Sequence, residues 1–473
     1  MTHARASVSV SAPPGYPTST GGYPTSTGGV YGAPGRGPIS GAPTVYGGPR
    51  PSGPPGAAAV APRPPRTPGM IFGVPAVHLL AWQLAAAAVL AAVASRNLVL
   101  IAVAGTAAVL TLLLTVVRVQ RRWLYRWLGT WLRYVLRDRV AQPAPYVDPR
   151  AALLEHLSPA TLVTSVEIDG QGVGIIEHAA GVTALLELGP IDAGLVAESP
   201  VKLPSPAALL PPTDPNAPPL TLQLLIQAAP APALTVGNSP VANSYRQLTE
   251  GRIPAVRRAW LAIRLGREGA THSDADLRQA LGSAARRLVR RLRQDDVLAR
   301  ALDRDEALTA VGVLAHLPAT NAPVRGSATV GSVGVASVGA ASPGPIGQET
   351  WNAWWSGETA QTTIKLRRWA DPRTDGGSRL LSVALASPGL ATTVSLAARR
   401  VDVRPADLPA GSDAELVAVE LGVRLAAPST ALLDAGSTAL AANLRAIGAT
   451  VDRLGGEQAA GLAATLPLGG FLQ

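Results

Sequence analysis

The residues best suited to proton transfer or metal ligation are six histidines, at positions 3, 78, 156, 178, 272 and 316, and no two of them share a metal-ligand spacing. HExxH and GxSxG strings are absent, and so is cysteine, which excludes thiol chemistry, disulfides and cysteine-based metal sites. The only lysines, Lys202 and Lys365, follow Val201 and Ile364 rather than glycine, so no GxxxxGK[ST] phosphate loop and no P-loop motor can be built on this chain. Gly170, Gly172 and Gly174 have a spacing like that of a dinucleotide loop. The following Ile175-Ile176-Glu177 has strand character, however, so no helix N-terminus would face a phosphate, and a glycine-permitted hairpin turn explains the string. Asp274-Ala275-Asp276 and Asp303-Arg304-Asp305 have the DxD form, yet both read better as acidic first turns of helices. Asp371, Asp375, Asp402 and Asp407 could supply paired carboxylates, but most stand in Pro and Gly contexts typical of turns. No cofactor, metal or catalytic residue is expected.

Arginine and tryptophan carry the stronger signal. Between Arg118 and Val140, Trp123, Trp127 and Trp131 recur at i, i+4 spacing with Leu124, Leu128, Leu132 and Val135, while Arg118, Arg122, Arg126, Arg133 and Arg137 take much of the remaining circumference. A helix of this composition places indoles at headgroup depth and guanidinium groups against anionic lipid, each arginine contributing on the order of 1 kcal/mol. Arg118, Arg122, Trp123, Arg126, Trp127, Trp131 and Arg133 are therefore the candidate membrane-interface residues. A flank that merely sets topology is the plainer reading. A second run, Arg286, Arg287, Arg290, Arg291 and Arg293, could bind phosphates or lipid headgroups, though such runs are more often the solvated face of an amphipathic helix.

The element that positions the first cluster lies just before it. Two apolar runs, Ile71 to Ala94 and Leu98 to Val117, are separated only by Ser95-Arg96-Asn97 and contain no Asp, Glu, Lys or Arg. As helices they would extend roughly 36 and 30 Å, enough for the hydrocarbon core of a bilayer. A transmembrane hairpin is expected over 71–117, the alternative being a buried helical pair of a soluble protein. Arginines flank the pair on both outer sides and only Arg96 marks the tip, which predicts both termini on the cytoplasmic side of the cell membrane. A secretory signal peptide is disfavoured by the roughly 70 preceding residues and the missing cleavage site.

The net charge of +10 sharpens the division of labour. Residues 1–140 hold thirteen arginines and one acidic residue, Asp138, so the remainder is slightly acidic and is not a nucleic-acid binder. Residues 1–70 are Pro/Gly-rich, lack acidic residues, and repeat GYPTSTG at 15–21 and 22–28; such a tail cannot bury enough apolar surface to order itself. Beyond a Pro-rich turn at 142–149, region 150–473 alternates strand and helix patterns. Strands are expected at 162–168, 173–177, 182–188, 220–227, 362–366, 379–386, 392–398, 415–425 and 449–454, and 259–265 reads as either a buried strand or a helix. Helices are expected from Ser273, over 303–314 and over 439–447, with a flexible Gly/Ala/Ser/Val-rich insertion at 321–348. The fold class expected is a two-helix transmembrane hairpin followed by a cytoplasmic α/β, mixed-sheet domain.

The strings VEIDGQGVGIIEHAAGVTALLEL around Asp169, WNAWWSGETAQTTIKLRRWAD from Trp351 and RLGGEQAAGLAATLPLGG around Leu454, in this order behind two membrane spans and a basic aromatic flank, resemble the EccE component of the actinobacterial type VII (ESX) secretion system. The likeness covers roughly residues 70–473 and leaves out the repetitive tail and the 321–348 insertion. It implies a non-catalytic structural subunit of a membrane secretion complex, placed peripherally to EccB, EccC and EccD, with EccC the ATPase. Two other classes remain: a membrane-anchored enzyme such as a glycosyltransferase-like protein at the cytoplasmic leaflet, and a receptor-like scaffold acting through the tail.

Overall fold

The computed structural model describes residues 70–71, 74–119, 122–142, 147–168, 170–189, 203–212, 214, 217–230, 240–249, 254–267, 272–317, 345–369, 375–386, 391–401 and 416–471. The expectations for the tail at 1–69 and for most of the 321–348 insertion lie outside these residues.

A two-residue ladder, β1 (Met70–Ile71) with β2 (Val74–Pro75), leads into α1 (Ala76–Ala94), and α2 (Leu98–Val116) runs back beside it. The first apolar run thus becomes helical five residues later than its composition begins, because Pro75 disfavours helical geometry in the residue before it. Arg96 takes a left-handed φ of 51° in the tip, and the Asn97 side-chain Oδ1 caps α2 by accepting from the Val99 amide at 3.0 Å. The threonines and Trp82 find partners within the pair, whereas the buried His78 has no hydrogen-bond partner for Nδ1 among the described residues. Thr106 and Thr111 donate to the carbonyls of Ala102 and Ala107, and the Trp82 indole donates to the Thr115 hydroxyl at 2.7 Å across the helices. Both helices are long and apolar enough to cross a membrane, and little of either is covered by the rest of the chain, unlike the core helices of a soluble protein.

The basic segment does not continue α2 as one helix from 118 to 140. It makes a tight ladder, β3 (Arg118–Val119) with β4 (Arg122–Trp123), and then α3 (Leu124–Leu136). An unbroken helix would stack Arg118, Arg121 and Arg122 at repulsive i, i+3 and i+4 positions; the turn instead lays the Arg118 guanidinium 4.0 Å from the Trp123 ring centre.

The large domain follows β5 (Val140–Ala141) and α4 (Pro149–Leu157). Its first half contains β6 (Leu162–Ile168), β7 (Gln171–His178), β8 (Gly181–Leu188), α5 (Pro206–Leu209), β9 (Leu220–Pro230), α6 (Pro240–Thr249), β10 (Pro254–Gly266), α7 (Asp274–Gln294), β11 (Ala299–Ala301) and α8 (Arg304–Leu314). The second contains β12 (Gly347–Glu349), β13 (Trp354–Ser356), β14 (Thr359–Arg368), α9 (Asp375–Leu385), β15 (Ala391–Val401), β16 (Leu416–Ala427), α10 (Thr430–Ala446), β17 (Thr450–Arg453) and α11 (Gln458–Ala464).

All thirteen strands join one sheet in the order β5-β12-β13-β14-β16-β15-β9-β10-β8-β7-β6, with β17 on β14 and β11 on β8. Apart from β5 at one edge, the order is palindromic about the β15–β9 pair. β6 to α8 and β12 to α11 follow the same path, except that α6 occurs only in the first half. In each, a crossover strand skips a place and the next strand fills the gap: β10 between β8 and β9, β16 between β14 and β15. This splitting corrects the mixed sheet expected from the sequence. Strands that a helical crossover would leave as parallel neighbours are separated, and every pairing among the described residues is antiparallel.

Helices cover both faces. Alternate residues of β8, Ala184, Leu186 and Leu188, join α7, α9 and α10 in the larger core, whereas Leu185, Leu225 and Trp260 meet α4, α8 and α11. Burial on both sides explains why these strands read as continuous apolar runs.

Three further sequence expectations change. Residues 379–385 of the expected strand at 379–386 belong to α9: Leu380 and Ala384 are the buried pair, at i, i+4. Residues 345–348 belong to the fold rather than to an excursion, since Ile346 is buried and Gln348 pairs with both Val140 and Trp355. The supposed turn at 142–149 ends in α4, which starts at Pro149 behind an Asp148 cap.

Candidate functional site

The interface candidates divide between two sides of α3. Trp127 and Tyr134 face the domain, their rings 5.9 and 5.2 Å from that of Trp351, and Thr130 between them is buried. Arg137, at the end of α3, donates to the Gly456 carbonyl at 3.0 Å and forms an ion pair with Glu349, whose carboxylate is buried. The Glu349 amide in turn donates to the Arg139 carbonyl at 2.8 Å. On the other side, Leu128, Trp131, Leu132, Val135 and Leu136 form an uncovered apolar stripe, with Trp131 42% and Leu136 75% exposed. Arg126 and Arg133 border that stripe in solvent.

The remaining candidates gather at the base of the hairpin. Trp123 meets His78 of α1 edge to face at 4.8 Å and carries Arg118 on its ring. Arg126 donates to the Tyr125 hydroxyl at 3.1 Å. Only the backbone of Arg122 is described, so the expectation for its side chain lies outside the described residues.

Sequence periodicity marked Trp127 but missed its partners. The loop holding Trp351 is closed by Thr350, whose amide and hydroxyl both reach the Ala353 carbonyl. The loop after β17 supplies the other wall: the Gly456 amide donates to the Trp351 carbonyl at 2.7 Å, and φ of +73° there suits glycine. A Cβ on Gly456 would stand 2.6 Å from the Trp351 ring. The signal that could have found this site is the clustering of glycines and tryptophans in two strings far apart in sequence.

Burial dominates the electrostatics. It pushes the Glu349 carboxyl up, against the Ala459 amide and Arg137, which favour the charged form. Elsewhere the strongest perturbations also sit in the packed domain. Burial holds His178 at about 4 and His316 at about 3, with nearby arginines acting in the same direction, and lowers Arg424 to about 9.

The strings that first invited a catalytic reading have structural roles. Gly174 donates its amide to the Leu302 carbonyl at 2.8 Å, and a Cβ there would meet the Asp303 carbonyl at 2.6 Å, so the glycine is a packing requirement. Ser273 and Asp276 form a reciprocal capping box at α7, as do Asp303 and Glu306 at α8. Among the described residues, no group of three or more His, Asp or Glu is gathered as a metal site.

No protein-family model matches the chain, and no curated protein matches it.

Proposed function

We propose that the chain is a non-catalytic structural membrane subunit of a type VII (ESX) secretion complex. On this reading the α1–α2 hairpin crosses the cell membrane with both termini in the cytoplasm. α3 lies among anionic headgroups, and the sheet domain stands beside EccB-, EccC- and EccD-like components. The observation that carries the anchoring is the two-sided character of α3. One flank is held to the domain by Trp127, Tyr134 and Arg137, and the other presents Leu128, Trp131, Leu132, Val135 and Leu136 beside two bilayer-length helices. The assignment to a secretion complex rests on the sequence resemblance. It is supported by the meeting of two of its three strings, around Trp351 and Gly456, at the place where the domain grips α3.

Extraction of the tagged chain in mild detergent, followed by mass spectrometry, tests the assignment. A large complex containing an ATPase subunit is expected; a lone monomer with metal-dependent sugar transfer would establish the enzyme reading instead. The cysteine-free sequence allows single cysteines at Ser95 and Ser327 to report topology, with an impermeant maleimide reaching only position 95 in intact cells.

A further inference from the structure

A cleft of about 550 Å³ opens at the far end of β8, where Glu187, Leu188 and Gly189 run between β10, β11 and the last turns of α7. Four arginines line it, Arg257, Arg258, Arg293 and Arg300, against the single carboxylate of Glu187. That carboxylate is already engaged: Arg300 pairs with Glu187 and Glu306, each at 2.7 Å. Arg258 and Arg293 are exposed and have no carboxylate partner among the described residues. The floor is aliphatic, formed by Leu188, Val289, Leu298 and Ala299, and Leu298 is 69% exposed although the Gly189 amide anchors its carbonyl. A Cβ on Gly189 would approach that of Leu298 to 2.8 Å, so the absent side chain leaves the floor open.

The geometry points to a docking cleft for an acidic protein segment that also carries aliphatic side chains. Unpaired guanidinium groups at the rim bind carboxylates in a fixed fork geometry, and an exposed leucine on the floor gains only if apolar surface covers it. Inorganic phosphate or a phosphorylated small molecule would leave Leu298 and Val289 in water. A nucleobase would find no aromatic lining residue on which to stack. Arg287 and Arg290 are exposed on α7 outside the cleft lining, which makes them the control for a diffuse charge effect. This inference is independent of the membrane reading, because the cleft lies in the half of the sheet away from α3.

The test uses the full chain in phosphatidylcholine nanodiscs and a fluorescein-labelled dodecapeptide of mixed glutamate and leucine, followed by fluorescence anisotropy. Binding is expected to weaken at least about tenfold in Arg258→Glu/Arg293→Glu and about threefold in Leu298→Ser. The double variant Arg287→Glu/Arg290→Glu, outside the cleft, should change it less than about twofold. A peptide with serine for leucine should bind more weakly than the parent. The proposal is overturned if both double variants weaken binding equally, which marks a diffuse charge effect. It is equally overturned if the serine peptide binds as well as the parent, if pyrophosphate or phosphatidylglycerol vesicles displace the peptide as effectively as unlabelled peptide does, or if no binding is seen. The substituted residues are exposed, and thermal melts matching the parent show that the variants fold.

Discussion

Trp351 sits against Trp127 with ring centres 5.9 Å apart, and this contact joins the loop between β12 and β13 to α3, which also packs against α2 of the apolar hairpin. Tyr134 adds an edge-to-face contact on the same ring, and Arg137 ties the end of α3 to Glu349 and Gly456. The domain is thus fixed to α3 by a small set of groups rather than tethered by a free linker.

Removing the central ring should loosen that attachment. Trp351→Ala is expected to cost about 3 kcal/mol, and Trp351→Phe clearly less, because a ring still fills the space between Trp127 and Gly456. Urea unfolding gives the size of the effect, and limited trypsin digestion gives its location: cleavage after Arg133 and Arg139 should accelerate in Trp351→Ala. An unchanged cleavage pattern would show that Trp351 does not hold α3.

Gly456 tests the same contact from the opposite wall. Gly456→Ala meets both a φ of +73° and a Cβ position 2.6 Å from the Trp351 ring, so about 2 kcal/mol of destabilisation is expected. Gly448, also at positive φ but with nothing within 4 Å of a Cβ, should lose less on the same change. Equal losses at both sites would leave strain, not the contact, as the cause.

A buried polar layer crosses the second face of the sheet. Arg424 donates to Gln361 at 2.8 Å and to the Leu314 carbonyl, Gln361 donates to the Ala315 carbonyl at 2.7 Å, and Gln227 donates to that of Val313 at 3.1 Å. The sheet therefore caps the C-terminus of α8 from below, and positive charge there complements the helix dipole. Arg424→Ala should cost on the order of 3 kcal/mol, while Arg424→Met, which refills the space and removes the buried charge, should cost roughly half as much. Chemical denaturation checks both values, and a loss under about 1 kcal/mol for the alanine variant would contradict the capping role.

Acid should weaken the fold through two histidines. Burial holds His178 at about 4 and His316 at about 3, whereas both titrate near about 6.5 in an unfolded chain. Between these values the unfolded state binds protons that the folded state refuses. Stability is therefore complete above pH about 6.5 and falls as the pH drops toward 4. His316→Asn keeps a residue that tolerates the φ of 55° and removes one of the two groups. Its urea midpoint should fall less than the parent's between pH 7 and 4.5. Glu349 titrates alike in both proteins and cancels in the comparison. Parallel losses would contradict the assignment.

Local signals were the legible part of this fold. The strand at 162–168 coincides with β6, and the acidic starts at 274 and 303 are capping boxes, because alternation, turns and caps are written within a few residues. Residues 379–386 read as a strand because Leu381, Val383 and Leu385 alternate, while the two fully buried residues, Leu380 and Ala384, obey the helical period. The repeated strand path emerges from the order of pairing, which joins strands far apart in sequence. The attachment of α3 is only half written in the sequence: helical spacing sets Arg137 nearer than Arg133 to the side of Trp127 and Tyr134, but the partners Glu349 and Gly456 lie far away in the chain.

The two-sided placement of α3 is tested most directly by depth. In the cysteine-free chain, single cysteines at Leu132 and Arg133 carry an environment-sensitive dye, and the protein is reconstituted into vesicles containing lipid-borne quencher. A blue-shifted, strongly quenched signal is expected at 132 and a water-like, weakly quenched one at 133. Water-like emission at both positions would contradict the two-sided placement, leaving the apolar side of α3 free of the bilayer.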